Sequence, residues 1–153
     1  MIEWRSLDNE EIVTRFSNQD WNNIFSGINT DEELRERLQS DFMHGYIAYN
    51  RANTPVAFAL LIEEKWRGNQ VQIHGGCWSG SAWHCYEALI IMIERLFSEG
   101  KAVRSQCTIE NSRTTRFLKS LGFINHYTSD EYRYFWLPYK RFIKSAIYRR
   151  IKQ

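Results

Sequence analysis

At 153 residues, 43% of them hydrophobic and 25% charged, the chain fits one globular domain with a core of its own. Cys77, Cys85 and Cys107 are odd in number and form no C-x-x-C pair, so neither a disulfide framework nor a metal site is expected, and a reducing, cytoplasmic setting is. No basic leader with an apolar centre opens the chain, and the apolar run Ala88–Ile93 is far short of a membrane span.

Ile2–Leu7 reads as a first strand, with Asp8 capping a helix from Asn9 to about Ser17. Thr30-Asp-Glu-Glu has the S/T-x-x-E pattern of a capping box and opens a helix through about Asp41. Alternating β-branched and aromatic residues predict strands at Gly45–Asn50 and Pro55–Glu63, around the turn-prone Arg51–Thr54. Trp66–Asn69 predicts a second turn, and Val71–His74 a strand that stops at Gly75-Gly76. A long apolar helix is expected from about Ala82 to Ser98, ended by Gly100. Lys101–Glu110 follows as a strand, Ser112–Leu121 as a helix and Tyr132–Leu137 as the last strand. Ile143, Ile147 and Ile151 recur every four residues, which predicts one amphipathic helix over Tyr139–Ile151. The order is therefore β-α-α-β-β-β-α-β-α-β, then an extra helix. Because a helix separates Val71–His74 from Lys101–Glu110, those two strands should pair in parallel.

The most telling segment is Asn111–Phe123, NSRTTRFLKSLGF. Asn111 is a cap-competent opener, and Gly122 suits the left-handed position that ends a helix. Phe117, Leu118 and Leu121 share one face, leaving Arg113, Arg116 and Lys119 to solvent or a ligand. A strand ending in Asn, followed by a helix closing on Lys-x-Leu-Gly-Phe and preceded by a long apolar helix, resembles the second half of the GCN5-related N-acetyltransferase (GNAT) fold. The resemblance is strongest from Val71 to Phe123 and weak before Gly45. It implies an α/β (α+β) domain over residues 1–139: a mixed, mostly antiparallel sheet with a central splayed parallel pair, flanked by helices. The splay is expected at the Gly75-Gly76 end, where paired glycines also permit a bulge or close backbone approach.

GNAT enzymes bind the coenzyme A pyrophosphate with an R/Q-x-x-G-x-G/A loop leading into the long helix. The matching segment here is Cys77-Trp78-Ser79-Gly80-Ser81-Ala82. Gly80 and Ala82 meet the need for small residues, and a helix N-terminus favours anions. Cys77 stands where the family has Arg or Gln. The resemblance thus implies acetyl-CoA as cosubstrate and a cofactor site made of Gly75, Gly76, Cys77, Trp78, Ser79, Gly80, Ser81, Ala82, Trp83, Asn111 and Arg116. Trp78 and Trp83 flank the loop, where they wall the groove, stack on adenine or cover the sheet edge.

Acetyl transfer to an amine needs a base for the amine, an oxyanion donor and an acid for the leaving thiolate. Glu63 and Glu64 end the strand whose family counterpart often presents a carboxylate to the acceptor. His74, on the strand beside the expected thioester, has a suitable intrinsic pKa. Glu63, His74 and Asn111 are the candidate catalytic residues. Many family members carry a Tyr seven residues after the Asn; here Leu118 occupies that position, a departure shared by some ribosomal-protein and N-terminal acetyltransferases. The resemblance implies direct transfer to a primary amine. It leaves open a binding or assembly protein of the same fold without catalysis, of the kind carried by phages.

Residues 140–153 hold six bases and no acid, so a body of net −4 ends in a basic helix although the whole chain is +2. The helix is expected to pack its isoleucines on the domain and leave its bases solvated. Exposed isoleucines would instead imply a partner: a second subunit in a homodimer, nucleic acid or the ribosome, an acidic protein or an anionic membrane surface.

Overall fold

The computed structural model describes residues 2–15, 30–39, 42–64, 68–77 and 82–153. Among them the order is β1 (Glu3–Leu7), α1 (Asn9–Arg15), α2 (Asp31–Leu38), β2 (Met43–Tyr49), β3 (Pro55–Glu64), β4 (Gln70–Cys77), α3 (Ala82–Ser98), β5 (Ala102–Thr108), α4 (Ser112–Ser120), β6 (Ile124–Thr128), β7 (Tyr132–Leu137), α5 (Tyr139–Lys144) and α6 (Ala146–Lys152). The strands form one sheet in the order β1-β2-β3-β4-β5-β7-β6. Its neighbours run antiparallel except for β4 and β5. This is the mixed sheet with a central parallel pair that the sequence implied. No described helix is long and apolar enough to cross a membrane.

Local chemistry explains most of the boundaries. Asp8 Oδ1 accepts from the Glu11 amide at 2.9 Å, and Thr30 Oγ1 accepts from the Glu33 amide at 3.1 Å, capping α1 and α2. The first of these helices is described to Arg15, and the second ends at Leu38 rather than near Asp41, which lies outside the described residues. Between β2 and β3, Asn50 Oδ1 accepts from the Thr54 amide at 3.0 Å, and Asn53 takes φ 60°.

Three sequence expectations need correction. Strand β4 does not stop at Gly75-Gly76 but runs through both to Cys77. A Cβ on Gly75 would lie 2.7 Å from the Phe58 carbonyl oxygen, and one on Gly76 would lie 2.8 Å from the Phe58 ring. The glycines therefore let β3 and β4 approach closely instead of ending the strand. A strand was also missed: β6, an edge strand whose pairing with β7 is interrupted by a bulge between Asn125 and Tyr127. The sequence Ile124-Asn-His-Tyr-Thr shows no clean alternation because none of its residues is fully buried and the bulge interrupts its register. Finally, the single C-terminal helix is two. Ser145, at φ −63° and ψ 146°, breaks it and uses its Oγ to cap α6 at the Tyr148 amide, 3.3 Å away.

The sheet carries a core on each face. On one, Val71, Ile73, Val103, Cys107 and Phe135 pack against Ala88, Leu89, Met92, Ile93 and Leu96 of α3. Trp4 adds a 2.8 Å hydrogen bond from Nε1 to the Ala88 carbonyl. On the other, Ile12 and Val13 of α1 and Leu34 and Leu38 of α2 cover Met43 and Leu60. Phe142 anchors the C-terminal pair of helices: it is fully buried, whereas Ile143, Ile147 and Ile151 are half-buried against the first core. All six bases there are exposed, as expected, and two of them also have partners. Lys152 pairs with Glu94 of α3 at 2.8 Å, and the Arg150 guanidinium lies 5.1 Å from the Trp83 ring centroid.

Gly122 closes α4 at φ +101°, and a Cβ there would sit 2.8 Å from the Arg141 carbonyl oxygen in α5. Gly100 also has positive φ, at +76°, but faces open space. Gly100→Ala should cost about 1 kcal/mol of backbone strain, and Gly122→Ala more, about 2–3 kcal/mol. Urea unfolding of both variants checks the ranking; equal costs would mean that α5 does not press on the α4 terminus.

Candidate functional site

The parallel pair is short. Strand β4 meets β5 only at Gln70↔Ala102, Val71↔Val103 and Gln72↔Arg104. Beyond that point β4 stays paired to β3 as far as Cys77, and β5 stays paired to β7 as far as Thr108. Each strand follows its antiparallel neighbour, and the two diverge. At the fork the buried Ser105 Oγ donates to the Ile73 carbonyl at 2.7 Å, taking the place of the next backbone bond. Strand alternation then fixes what lies further along. If the Ile73 carbonyl points into the gap, so do the N–H and C=O of Gly75, two residues on.

The gap is a cleft of about 310 Å³ that reaches through the sheet. From β4 it is lined by Ile73, His74, Gly75 and Gly76, and from β5 by Ser105, Gln106 and Cys107. Leu89 and Ile93 of α3 form its apolar floor, and Asn111, Thr114, Phe117 and Leu118 close the side beneath α4. The parallel strands thus deliver to one place the strand end, the glycine pair and the helix-opening Asn that the sequence singled out separately.

Asn111 Oδ1 accepts from the Thr114 amide at 3.0 Å, and the Asn111 carbonyl accepts from Thr115 Oγ1 at 3.1 Å. It is a helix cap on the wall of the cleft. His74 is buried, and desolvation pushes its pKa down to about 4, so it is neutral at physiological pH. Its Nε2 lies 3.1 Å from Gln72 Oε1. Gln72 Nε2 in turn donates to Glu64 Oε1, and Arg104 Nη1 lies 3.4 Å from Glu64 Oε2.

The other expected residues are placed elsewhere. Glu63 is in register with Val71, on the paired side of the fork, and forms a 3.1 Å ion pair with Lys101; it does not line the cleft. Arg116 is exposed on α4. Trp83 is half-exposed in the first turn of α3 beneath Arg150. Trp78, Ser79, Gly80 and Ser81 lie outside the described residues, as do the side chains of Cys77 and Ala82. Leu118 is buried in the cleft wall and carries no proton to give; the hydroxyl and thiol groups lining the cleft are those of Ser105, Thr114 and Cys107.

Sequence reasoning named Glu64 as a carboxylate at a strand end but passed over Ser105 and the linking of Glu64 to Gln72 and Arg104. Ser105 left a trace, since it is the one polar residue in the inward series Val103, Ser105, Cys107. The cluster left none, because its members come from three strands whose register only the fold sets.

Several solved structures share this architecture. The spermidine N-acetyltransferase of Vibrio cholerae in complex with CoA and spermine superimposes with a TM-score of 0.68 at 10% identity, over 94% of this chain and 98% of that one. Apo FdhC, a nucleotide-linked sugar GNAT, gives a TM-score of 0.69 at 14% identity, over 98% of this chain and 93% of that one. A dodecameric spermidine N-acetyltransferase from Vibrio cholerae in an intermediate state gives 0.65 at 11% identity, over 95% and 98% respectively. No protein-family model matches the sequence, and no curated protein does.

Asn111→Ala removes the cap of α4 and should cost about 0.5–2 kcal/mol in chemical unfolding. An unchanged unfolding midpoint would show that the Asn111–Thr114 bond contributes nothing. His74 gives a pH signature. Its unfolded pKa of 6.5 falls to about 4 on folding, so below pH 6.5 only the unfolded chain takes up the proton. Stability therefore falls as pH drops from 6.5 toward 4 and levels off below. Between pH 7 and pH 5 the native chain should lose about 2 kcal/mol more than His74→Gln, measured from urea midpoints. Parallel losses in the two proteins would mean that His74 is hydrated rather than buried.

Proposed function

We propose that this chain, whose fold is that of the GCN5-related N-acetyltransferases, is an acetyl-CoA-dependent N-acetyltransferase that transfers the acetyl group directly to a primary amine. The fork between β4 and β5 carries this reading. It opens a slot of the right kind for the pantetheine arm of coenzyme A, beside bare Gly75 peptide groups that can bond the amides of the arm as a strand would. The CoA complex of the Vibrio cholerae structure supports the cosubstrate, and its spermine supports an amine acceptor. Both come to this chain through fold alone.

The acceptor and the thioester meet in the cleft. Acetyl-CoA supplies the acyl carbon; the amine N–C bond forms, the C–S bond breaks and the amine gives up a proton. His74 is the imidazole that lines the cleft and the group assigned to accept it; burial keeps it neutral, although the same burial weakens it as a base. Glu63 has its carboxylate committed to Lys101 and does not fit that role. Ser105 and Thr114 offer hydroxyl donors in a wall where Leu118 offers none. At the other end, the first turn of α3 is a helix N-terminus, the kind of place that favours phosphates. Arg150, held over Trp83, adds a positive charge near that turn, compensating for Cys77 at the position where the family has Arg or Gln.

Leu118 also favours a second reading, a protein that binds the cosubstrate without turning it over. Two measurements separate them. Acetyl-CoA at 100 times its dissociation constant should stabilise the fold by about 2.7 kcal/mol, and Thr114→Trp, which fills the cleft, should abolish that shift. Amine-dependent release of free thiol then identifies turnover. Binding without release from any amine would favour the inactive reading, and no thermal shift at all would refute both.

A further inference from the structure

We propose that Ser105 is a positioning residue for the cosubstrate: its hydroxyl takes up the Ile73 carbonyl at the fork and so holds the slot between β4 and β5 open before any ligand enters. The proposal rests on the acetyl-transfer reading for the ligand, coenzyme A, and on strand register for the rest.

The register identifies the bond that the hydroxyl replaces. Ala102 N–H donates to the Asn69 carbonyl at 2.8 Å. Bonds along one edge of a parallel strand recur at every second residue. The Val71 carbonyl thus faces the Arg104 amide, and the Ile73 carbonyl would face that of Gln106. That rung is not made, because the pairing ends at Gln72↔Arg104. Ser105 Oγ donates to the Ile73 carbonyl instead, at 2.7 Å. Ser105 is buried between Val103 and Cys107 in the series that faces α3. Packing at that position suits an apolar residue; the buried carbonyl requires a donor.

A ligand cannot take over this task. Neighbouring strands lie about 4.8 Å apart, so a chain bonded between two of them needs a gap of about 10 Å. Ile73 is one residue past the last closed pair, roughly 3.3 Å along the strand, where the gap has only begun to widen. Gly75 lies two residues further on, and its peptide groups are the first on β4 that an inserted arm can bond. The protein must therefore satisfy the Ile73 carbonyl itself if the slot is to exist without its occupant. Without the hydroxyl, that carbonyl recovers a partner by closure of the ladder. Gln106 N–H then turns to Ile73, and Gly75 N–H, next in the series, to the Gln106 carbonyl. Those bonds take the groups that the arm needs.

The test uses a matched pair of variants. Thr and Val share one shape and differ in the hydroxyl, so Ser105→Thr keeps the donor and Ser105→Val removes it. In calorimetry on the full chain, Ser105→Val should weaken acetyl-CoA binding at least tenfold, and Ser105→Thr less than threefold. Hydrogen exchange followed by NMR without ligand should show the Gly75 amide slowed at least tenfold in Ser105→Val and unchanged in Ser105→Thr. Loss of a merely structural contact would speed that exchange, not slow it. A folded Ser105→Val with native affinity would overturn the proposal. So would equal weakening in the two variants, or a Gly75 amide that exchanges no more slowly in Ser105→Val. If circular dichroism shows Ser105→Val to be unfolded, Ser105→Ala takes its place in both measurements. Native protein that binds no acetyl-CoA refutes the cosubstrate reading, and the Gly75 exchange rates then decide the role of Ser105 at the fork by themselves.

Discussion

The rest of the molecule depends on a parallel strand pair that holds for three residues and then parts. A helical crossover forces β4 and β5 to run the same way, since parallel neighbours cannot be joined by a tight turn. Each is bonded on its outer side to an antiparallel partner over nearly its whole length, and those partners set its direction. The divergence leaves the Ile73 carbonyl buried without a strand to bond. An unsatisfied buried acceptor costs about 1–3 kcal/mol. Ser105 supplies a hydroxyl there, so the strands can stand apart without that penalty. A cleft through a sheet is otherwise unstable against closure of the ladder.

The two faces of the sheet divide the work. Toward α3 the inward residues are apolar and close-packed, and they hold the strands in register. On the opposite face, α1 and α2 cover β2 and β3, while Glu64, Gln72, His74 and Arg104 form a bonded polar row across β3, β4 and β5. Such a row gains little stability over an apolar one, because desolvation offsets its attraction. It ends at His74, in the wall of the cleft.

The C-terminal segment is tied to this frame at three points. Phe142 enters the α3 core, the α5 backbone presses on Gly122 at the end of α4, and Lys152 pairs with Glu94. Hydrogen bonding to Glu94 is the first cause holding Lys152 above the usual lysine range. Because Arg150 lies over Trp83, the same docking brings charge to the first turn of α3. A basic tail that reads as a separate solvated face is thereby linked to the proposed cosubstrate site.

Signals confined to one stretch of chain were legible in the sequence. The Asn111 cap, the Gly122 terminator, the capping residues Asp8 and Thr30 and the span Ala82–Ser98 follow from short-range hydrogen bonding and periodicity, and they stand as read. The parallel pair followed as well, because chain connectivity alone requires it. What the sequence misjudged depended on neighbours distant in the chain. Gly75-Gly76 looked like a stop because glycine often ends strands; the Phe58 carbonyl and ring turn it into a close contact. Glu63 and Glu64 were equivalent as adjacent carboxylates, yet alternation sends one to Lys101 and the other to Gln72 and Arg104. The sequence by itself determined which elements form and how they are capped, since those energies are local. Only the tertiary structure decided which side chains share the cleft, because strand register, set by packing on both faces, brings together residues that no spacing rule connects.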